Sequence, residues 1–326
     1  FLNSEVNGPV DNDYTGHYGI YAQDNTDIVI SGNYIHDVKV GMVMDPNQGL
    51  EVSENYIDHT GSDGMTFIGV TDFLIENNQH GGNFHPQPGA HLDFIQFQGT
   101  PSSDGVIRGN VFLAESHANV QGIFLADVAF DNILIEQNII ATGMINAIKV
   151  GTYGTNITAR DNTVINIPDT VHSASKLIGA QTSSGNLVTS TTTEQQGSNI
   201  QIDTDDYARY FQGDIKLGLT LDDLRPVAGS IAEDFGALSR LAELLDGVQF
   251  VPAPVPEPEP TIEPMPTTPE SPSIENNELP AQSDIIKITT SADVIEVAPG
   301  SVPDFEAAAV NFTFTADNPD RMQGLV

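Results

Sequence analysis

Short apolar stretches recur along the first half of the chain, and each runs into an asparagine. Aligned, they read IVISGNYI, LEVSENYI, FLIENNQH, GVIRGNVF, ILIEQNII and ITARDNTV. Their shared asparagines, Asn33, Asn55, Asn78, Asn110, Asn138 and Asn162, lie 22, 23, 32, 28 and 24 residues apart. A second apolar stretch accompanies each one, as GIYA, GMVM, GMTF, FIQF, GIFL and AIKV. Apolar positions here alternate with a period of two, and no helical spacing lies between the stretches.

Short strands at such intervals predict stacked coils of a parallel β-helix. A leucine-rich repeat is the rival, but its leucine ladder is missing. In stacked coils an asparagine at a turn can bond its equivalent one layer away and satisfy turn amides, so these residues read as structural. Alternation assigns the faces of the second strand. Ile20, Met42, Met65, Ile95, Ile123 and Ile148 form one inward column, and Ala22, Met44, Phe67, Phe97, Leu125 and Val150 another. Between them an outward column runs through Tyr21, Val43, Thr66, Gln96, Phe124 and Lys149, and the next holds Gln98.

The pattern fades after Asn162, and residues 181 to 198 read as a long loop or a worn final coil. Residues 230–247 predict a helix that caps the stack. Ser230 and Glu233 suit a capping box, and Ile231, Phe235, Leu238, Leu241 and Leu244 fall on one helical face. The β-helix with its cap is thus placed at residues 1–250. Ten of the 20 prolines fall between residues 251 and 280, so residues 251–283 read as an extended Pro/Glu-rich linker. Strand-like alternation resumes over residues 284–326, as the start of a second β domain. Both ends, at Phe1 and Val326, read as cut from a longer protein.

Composition narrows the partners. Forty-five Asp+Glu against 11 Lys+Arg give a formal charge of −34, which repels nucleic acid and anionic bilayers. No apolar run approaches a membrane span. Cysteine is absent, which removes disulfides and zinc–thiolate sites.

The Asn-punctuated coils, with strands GMVM, SDGMTF and HLDFIQFQ, resemble right-handed parallel β-helix proteins of the pectate-lyase-like superfamily. That group holds polysaccharide lyases, mannuronan C5-epimerases, polygalacturonase-type hydrolases and phage tailspikes. The likeness covers residues 14 to about 200. The terminal NFTFTADNPDRMQGLV resembles the opening of a concanavalin- or laminin-G-like domain. Together these imply a secreted, extracellular protein acting on a polysaccharide.

Successive coils carry polar groups at the entry to the second strand: Asp63, Asp93, Gln121, then Asn146 with Lys149. By similarity to the polygalacturonase pattern, Asp63, Asp93 and Lys149 match functional positions. Leu92 stands in place of one carboxylate, however, and Gln121 in place of the histidine. Asp63 and Asp93, one coil apart, would lie about 4.8 Å from each other. That spacing keeps a retaining hydrolase open. A lyase or epimerase instead needs a base for the proton beside a uronate carboxylate and a group that neutralises the carboxylate. Asp93, His91, Asp63 and Lys149 are the catalytic candidates, with Tyr21 a further choice. Gln96, Gln98, Thr66, Gln121 and His85 are the substrate-binding candidates. The expected function is β-elimination or C5-epimerisation of a uronate-containing polysaccharide. A polygalacturonase-type hydrolase and a non-catalytic adhesin are the alternatives.

His80, His85 and His91 share one inserted loop, expected to overhang the cleft, where a metal is conceivable but its geometry is unreadable. His17, His36, His59, His117 and His172 show no shared register and read as turn or surface residues. Asp203, Asp205 and Asp206 suggest Ca2+ but lack the glycine and distal glutamate of an EF-hand. Oligomeric state is not legible.

Overall fold

The computed structural model describes residues 1–8, 14, 16–86, 89–168, 175–190 and 198–241, and the backbone of residues 286–289 and 294–297. The chain winds into a right-handed parallel β-helix. Each coil runs through three sheets in turn, here called A, B and C. Among the described residues, sheets A and C have seven strands and sheet B nine, all parallel and all ordered as the chain visits them. Sheet C, which carries the candidate residues, stacks Tyr18–Ala22, Val40–Met44, Met65–Phe67, Asp93–Phe97, Gln121–Leu125, Asn146–Val150 and Lys176–Ile178.

The sequence reading placed two strands in each coil, and the structure has three. The additional set is sheet B, which begins one residue after each ladder asparagine, as in Tyr34–Val38 and Tyr56–Thr60. One of its strands is only Gln79–His80, and its outward residues are polar, so it reads as turn.

The asparagine ladder forms as expected. Asn110 is wholly buried. Its Oδ1 accepts from the backbone and side-chain amides of Asn78 at 2.9 and 3.0 Å. Its Nδ2 donates to Ile75 O and to Asn138 Oδ1. The ladder continues through Asn186 to Asn199, beyond the six asparagines aligned in sequence. The residue before each rung from Asn33 to Asn186 is left-handed, for example Glu54, Asn77, Gln137 and Asp161. This bend turns the chain from sheet A to sheet B and aims the amide inward. Ile95, Phe97, Met65, Phe67, Ile123 and Ile148 are buried in the predicted inward columns. Of residues 181 to 198, the described stretch 181–190 is a worn coil, with strands Thr182–Ser184 and Leu187–Val188, and 191–197 lie outside the described residues.

The predicted helix over residues 230–247 is not continuous. Its described part is two short 3-10 turns, Ile231–Glu233 and Gly236–Arg240. Phe235 is extended at the break and Gly236 takes φ +74°, a conformation that favours glycine. Tertiary bonds outweigh helix propensity here, because Gly236 N donates to Gly185 O and Ala237 N to Thr163 Oγ1. Leu238 and Leu241 are buried as expected, and Phe235 partly so. The described residues 203–241 form a strap along the flank of the coils. Gly218 N reaches Ala114 O, and Arg240 reaches Asn77.

The predicted linker lies outside the described residues, as does most of the second β domain. Of that domain, Ile286–Thr289 and Val294–Val297 pair antiparallel. Among the described residues, no helix is long and apolar enough to cross a membrane.

Candidate active site

Sheet C begins where the chain turns in from sheet B, and the polar candidates meet there. Asp93 pairs in register with Gln121, and Asp63 precedes it by one coil, with Asp93 N donating to Asp63 Oδ1 at 3.2 Å. Asp93 stands two residues before inward Ile95, so pleat parity turns its side chain into the coil, and it is 0% exposed. Asp63 is 5% exposed. Its Oδ2 accepts from Thr66 Oγ1 at 3.0 Å. Both aspartates were expected to line an open cleft, and the structure buries them.

His91 reaches solvent in their place. Its side chain is 58% exposed, and its Nδ1 lies 2.8 Å from Asp93 Oδ2. The ring packs edge-on against Phe124, centroids 6.0 Å apart, on the outer face of sheet C. Its Nε2 lies 2.8 Å from Gln121 Nε2. Gln121 Oε1 in turn accepts from Asn146 Nδ2. The same Gln121 nitrogen lies 3.3 Å from His91 Nδ1, so the amide sits over the ring face rather than along a nitrogen lone pair. With the Asp93 carboxylate 2.8 Å away, His91 Nδ1 is the nitrogen that donates to it. Ser62 Oγ, bonded to the His91 carbonyl at 3.0 Å, steadies the approach of the loop.

Electrostatics follow from burial and proximity. Burial, and then the neighbouring Asp93 charge, push Asp63 up to about 7. Burial also raises Asp93, while His91 and Gln121 pull the other way. The Asp93 bond raises His91, opposed by partial burial and helped by the fields of Asp93, Asp63 and Asp127. Asp93 Oδ1 is buried and makes no hydrogen bond among the described residues.

The outward column Thr66, Gln96, Phe124, Lys149 stands on consecutive rungs. Gln96 and Thr66 are buried, so this face is closed around them and open at Phe124 and Lys149. Gln98 follows the far end of its strand, five residues or about 16 Å from Asp93, and takes no part in the cluster. Tyr21 bonds Gln23, four coils before Phe124.

The histidine loop divides. His80 is a core residue: it stacks on Phe84 at 4.5 Å, accepts from Gly82 N, and is pushed down to about 4 by burial. His85 stacks between Tyr14 and His59, centroids 4.4 and 5.3 Å away. Only His91 joins the site. His36 and His59 do not share a register, as expected: His36 pairs with Asp58. They lie on adjacent sheet B strands, where His36 bonds Asp37 and His59 bonds Asp58. Asp203 caps the turn Thr204–Arg209. Among the described residues no three carboxylates or imidazoles converge as metal ligands.

Two cations were missed by the sequence reading. Arg108, Arg160, Arg209, Lys216 and Arg225 each pair with a carboxylate. Lys39, Lys149 and Lys176 have no carboxylate partner among the described residues, and all three belong to or adjoin sheet C strands. Lys39 sits over the Tyr18 ring at 5.7 Å, and Lys176 follows Asn146 in register. Once the register is known, their positions at strand starts are the signal.

The sequence model of a right handed beta helix region matches residues 3–164, in agreement with the right-handed parallel β-helix fold described above. Among solved structures it is similar to the DFA-IIIase of Arthrobacter chlorophenolicus A6, determined in complex with GF2, at 12% identity and a TM-score of 0.37. That match covers 61% of this chain and 47% of the other, so less than half of that protein's length has a counterpart here. No curated protein matches the sequence.

Proposed function

We propose that the protein acts outside the cell on a uronate-containing polysaccharide, by β-elimination or C5-epimerisation on the outer face of sheet C. The observation that carries this reading is His91, a solvent-facing imidazole whose Nδ1 is held by a wholly buried carboxylate. Such a dyad fixes the tautomer and stabilises the imidazolium that forms when Nε2 takes a proton. The proton is the one beside the uronate carboxylate. Lys149, adjacent to Phe124 in register, supports this reading as the cation that neutralises that carboxylate as negative charge develops. Phe124 offers an apolar face to the sugar ring. Asp63 and Asp93 act from below by holding and charging the imidazole.

Burial argues against the retaining hydrolase. That mechanism asks one carboxyl to attack the sugar and another to protonate the leaving group, and neither Asp63 nor Asp93 reaches solvent. The test is incubation with a panel of uronate polysaccharides, read for the ultraviolet absorbance of unsaturated uronates, for reducing ends and for changed uronate stereochemistry. Elimination gives the first two signals and epimerisation the third. Reducing ends alone would restore the hydrolase, and binding without turnover would make the protein an adhesin.

A further inference from the structure

We propose that Tyr18, Tyr21 and Lys39 form a second sugar-binding site, which holds a carboxylate-bearing sugar residue on the first two coils of sheet C and takes no part in the reaction. The ligand class rests on the reading of the substrate as a uronate polymer, but none of these residues belongs to the His91 site. Tyr18 begins the first strand of sheet C and is 48% exposed. The Tyr21 ring lies nearly parallel to it, with 19° between the planes and 6.1 Å between centroids. Lys39 directly precedes Val40, the residue that pairs with Tyr18, and its Nζ stands 5.7 Å from the Tyr18 centroid. On the strap, Arg209 lies over Tyr210 at a similar 5.8 Å, but it also pairs with Asp206. The Lys39 ammonium has the ring as its one partner among the described residues. An exposed ring holds an ammonium weakly, and a carboxylate laid beside the ring is the stronger partner.

The two ends of this patch differ in charge. Lys39 N donates to His17 O at the start of the strand pair, and Asp45 N donates to Ala22 O at its finish. The cation is therefore at one end. At the other the Tyr21 hydroxyl donates to Gln23 Oε1 at 3.3 Å, in the fields of Asp45 and Asp24. A uronate ring has the matching polarity, with its carboxylate on one side and free hydroxyls on the other. Lying on Tyr18, it turns the carboxylate to Lys39 and its hydroxyls to the acceptors beside Tyr21. The patch is also separate from the His91 site. Phe124 stands four coils from Tyr21, or about 19 Å. The outward residues of the rungs between, Val43, Thr66 and Gln96, are all buried. A sugar on Tyr18 thus leaves His91 free, and its role is to keep the polymer on the protein between reactions.

The experiment is calorimetric titration of the full chain carrying His91→Ala and Lys149→Ala, which removes the other site. The probes are oligosaccharides of galacturonate, mannuronate, guluronate and glucuronate, each also in a carboxyl-reduced, neutral form. At least one uronate probe should still bind. Adding Lys39→Gln should weaken that binding by about threefold or more, Lys39→Arg should restore it, and added salt should erase the difference. Tyr18→Ala should weaken it about fivefold, with Tyr18→Phe close to the parent. The neutral form should bind less tightly and ignore Lys39→Gln. Absence of uronate binding in this background overturns the site, as does binding that neither Lys39→Gln nor Tyr18→Ala changes. An equal Lys39→Gln loss on the neutral probe overturns the carboxylate's role. Thermal melting checks that each variant folds, and if Tyr18→Ala does not, Lys39→Gln on the charged and neutral probes decides. A chain inactive on every glycan whose binding follows Lys39 and Tyr18 would sink the proposed reaction and leave this site standing. An active chain whose background binding ignores both residues would do the reverse.

Discussion

Replacing Asp93 by asparagine separates chemistry from stability. The carboxylate is wholly buried, with one oxygen on His91 Nδ1 and the other without a bond among the described residues. Asparagine can still accept from Nδ1 through its carbonyl. Its amide then puts an N–H where the unbonded oxygen sat. A buried charge is thereby lost, so folding stability should change by no more than about 1 kcal/mol, and a gain is the expected sign. The imidazolium loses a charge-assisted bond worth roughly 1.5–3 kcal/mol, together with the field of a charge in a low-dielectric interior. At 1.36 kcal/mol per tenfold, kcat/KM on the productive polysaccharide should fall at least ~100-fold. The assay pairs urea denaturation with initial rates on the same preparation. Loss of more than about 2 kcal/mol of stability with activity intact would refute the dyad and make Asp93 a turn residue.

Asn110→Ala deletes four buried ladder bonds and leaves Ile75 O and two Asn78 donors unpaired, so denaturant titration should show roughly 3–5 kcal/mol of lost stability. Between the ordinary carboxylate range and about 7, the folded state holds a proton on Asp63 that the unfolded chain has released. Stability should therefore fall as pH rises through that window, and Asp63→Asn should flatten the curve measured by melting at stepped pH. Lys149→Ala should cut kcat/KM about tenfold on an anionic polymer, with an effect that shrinks as salt is added. Leu238→Asp, which buries a charge beneath the strap, should free that segment to limited proteolysis while sheet C activity survives.

Much of the fold was legible because a solenoid writes its geometry as a period. Asn33 to Asn162 recur because each rung must satisfy the next, and Ile95 and Phe97 alternate because the pleat does. Sheet B was not legible. Its outward Tyr34, His36, Tyr56 and Asp58 look like turn chemistry, and Gln79–His80 is too short to show a period. The helix over residues 230–247 was misread because local spacing cannot reveal that Gly185 and Thr163 offer better partners. In the site, register gave the neighbours Asp63, Asp93 and Gln121. The same alternation already turned Asp93 inward, two residues before Ile95, which rules it out as a group touching substrate. The bond from His91 to Asp93 depends on the path of an inserted loop, which no period encodes.

The three outer faces bear on how a chain of charge −34 would take the proposed anionic polymer at one place. On sheet A, Glu76 and Glu136 hold Arg108 and Arg160, so no cation is left over among the described residues. On sheet B, the outward positions in the later coils, such as Val111, Ile139 and Ile165, are apolar and buried, and the strap lies along this side. The earlier coils carry Asp37 and Asp58, which already bond His36 and His59. The strap's Arg209, Lys216 and Arg225 pair with aspartates of the same segment. That leaves Lys39, Lys149 and Lys176 along sheet C. Screening confines each charge to about 8–10 Å at physiological salt, so a polymer near sheet C meets these lysines rather than the average of the chain. On the proposed reading, repulsion from the acidic faces would act as steering, because among the described residues the face with His91 is the one that would admit the polyanion.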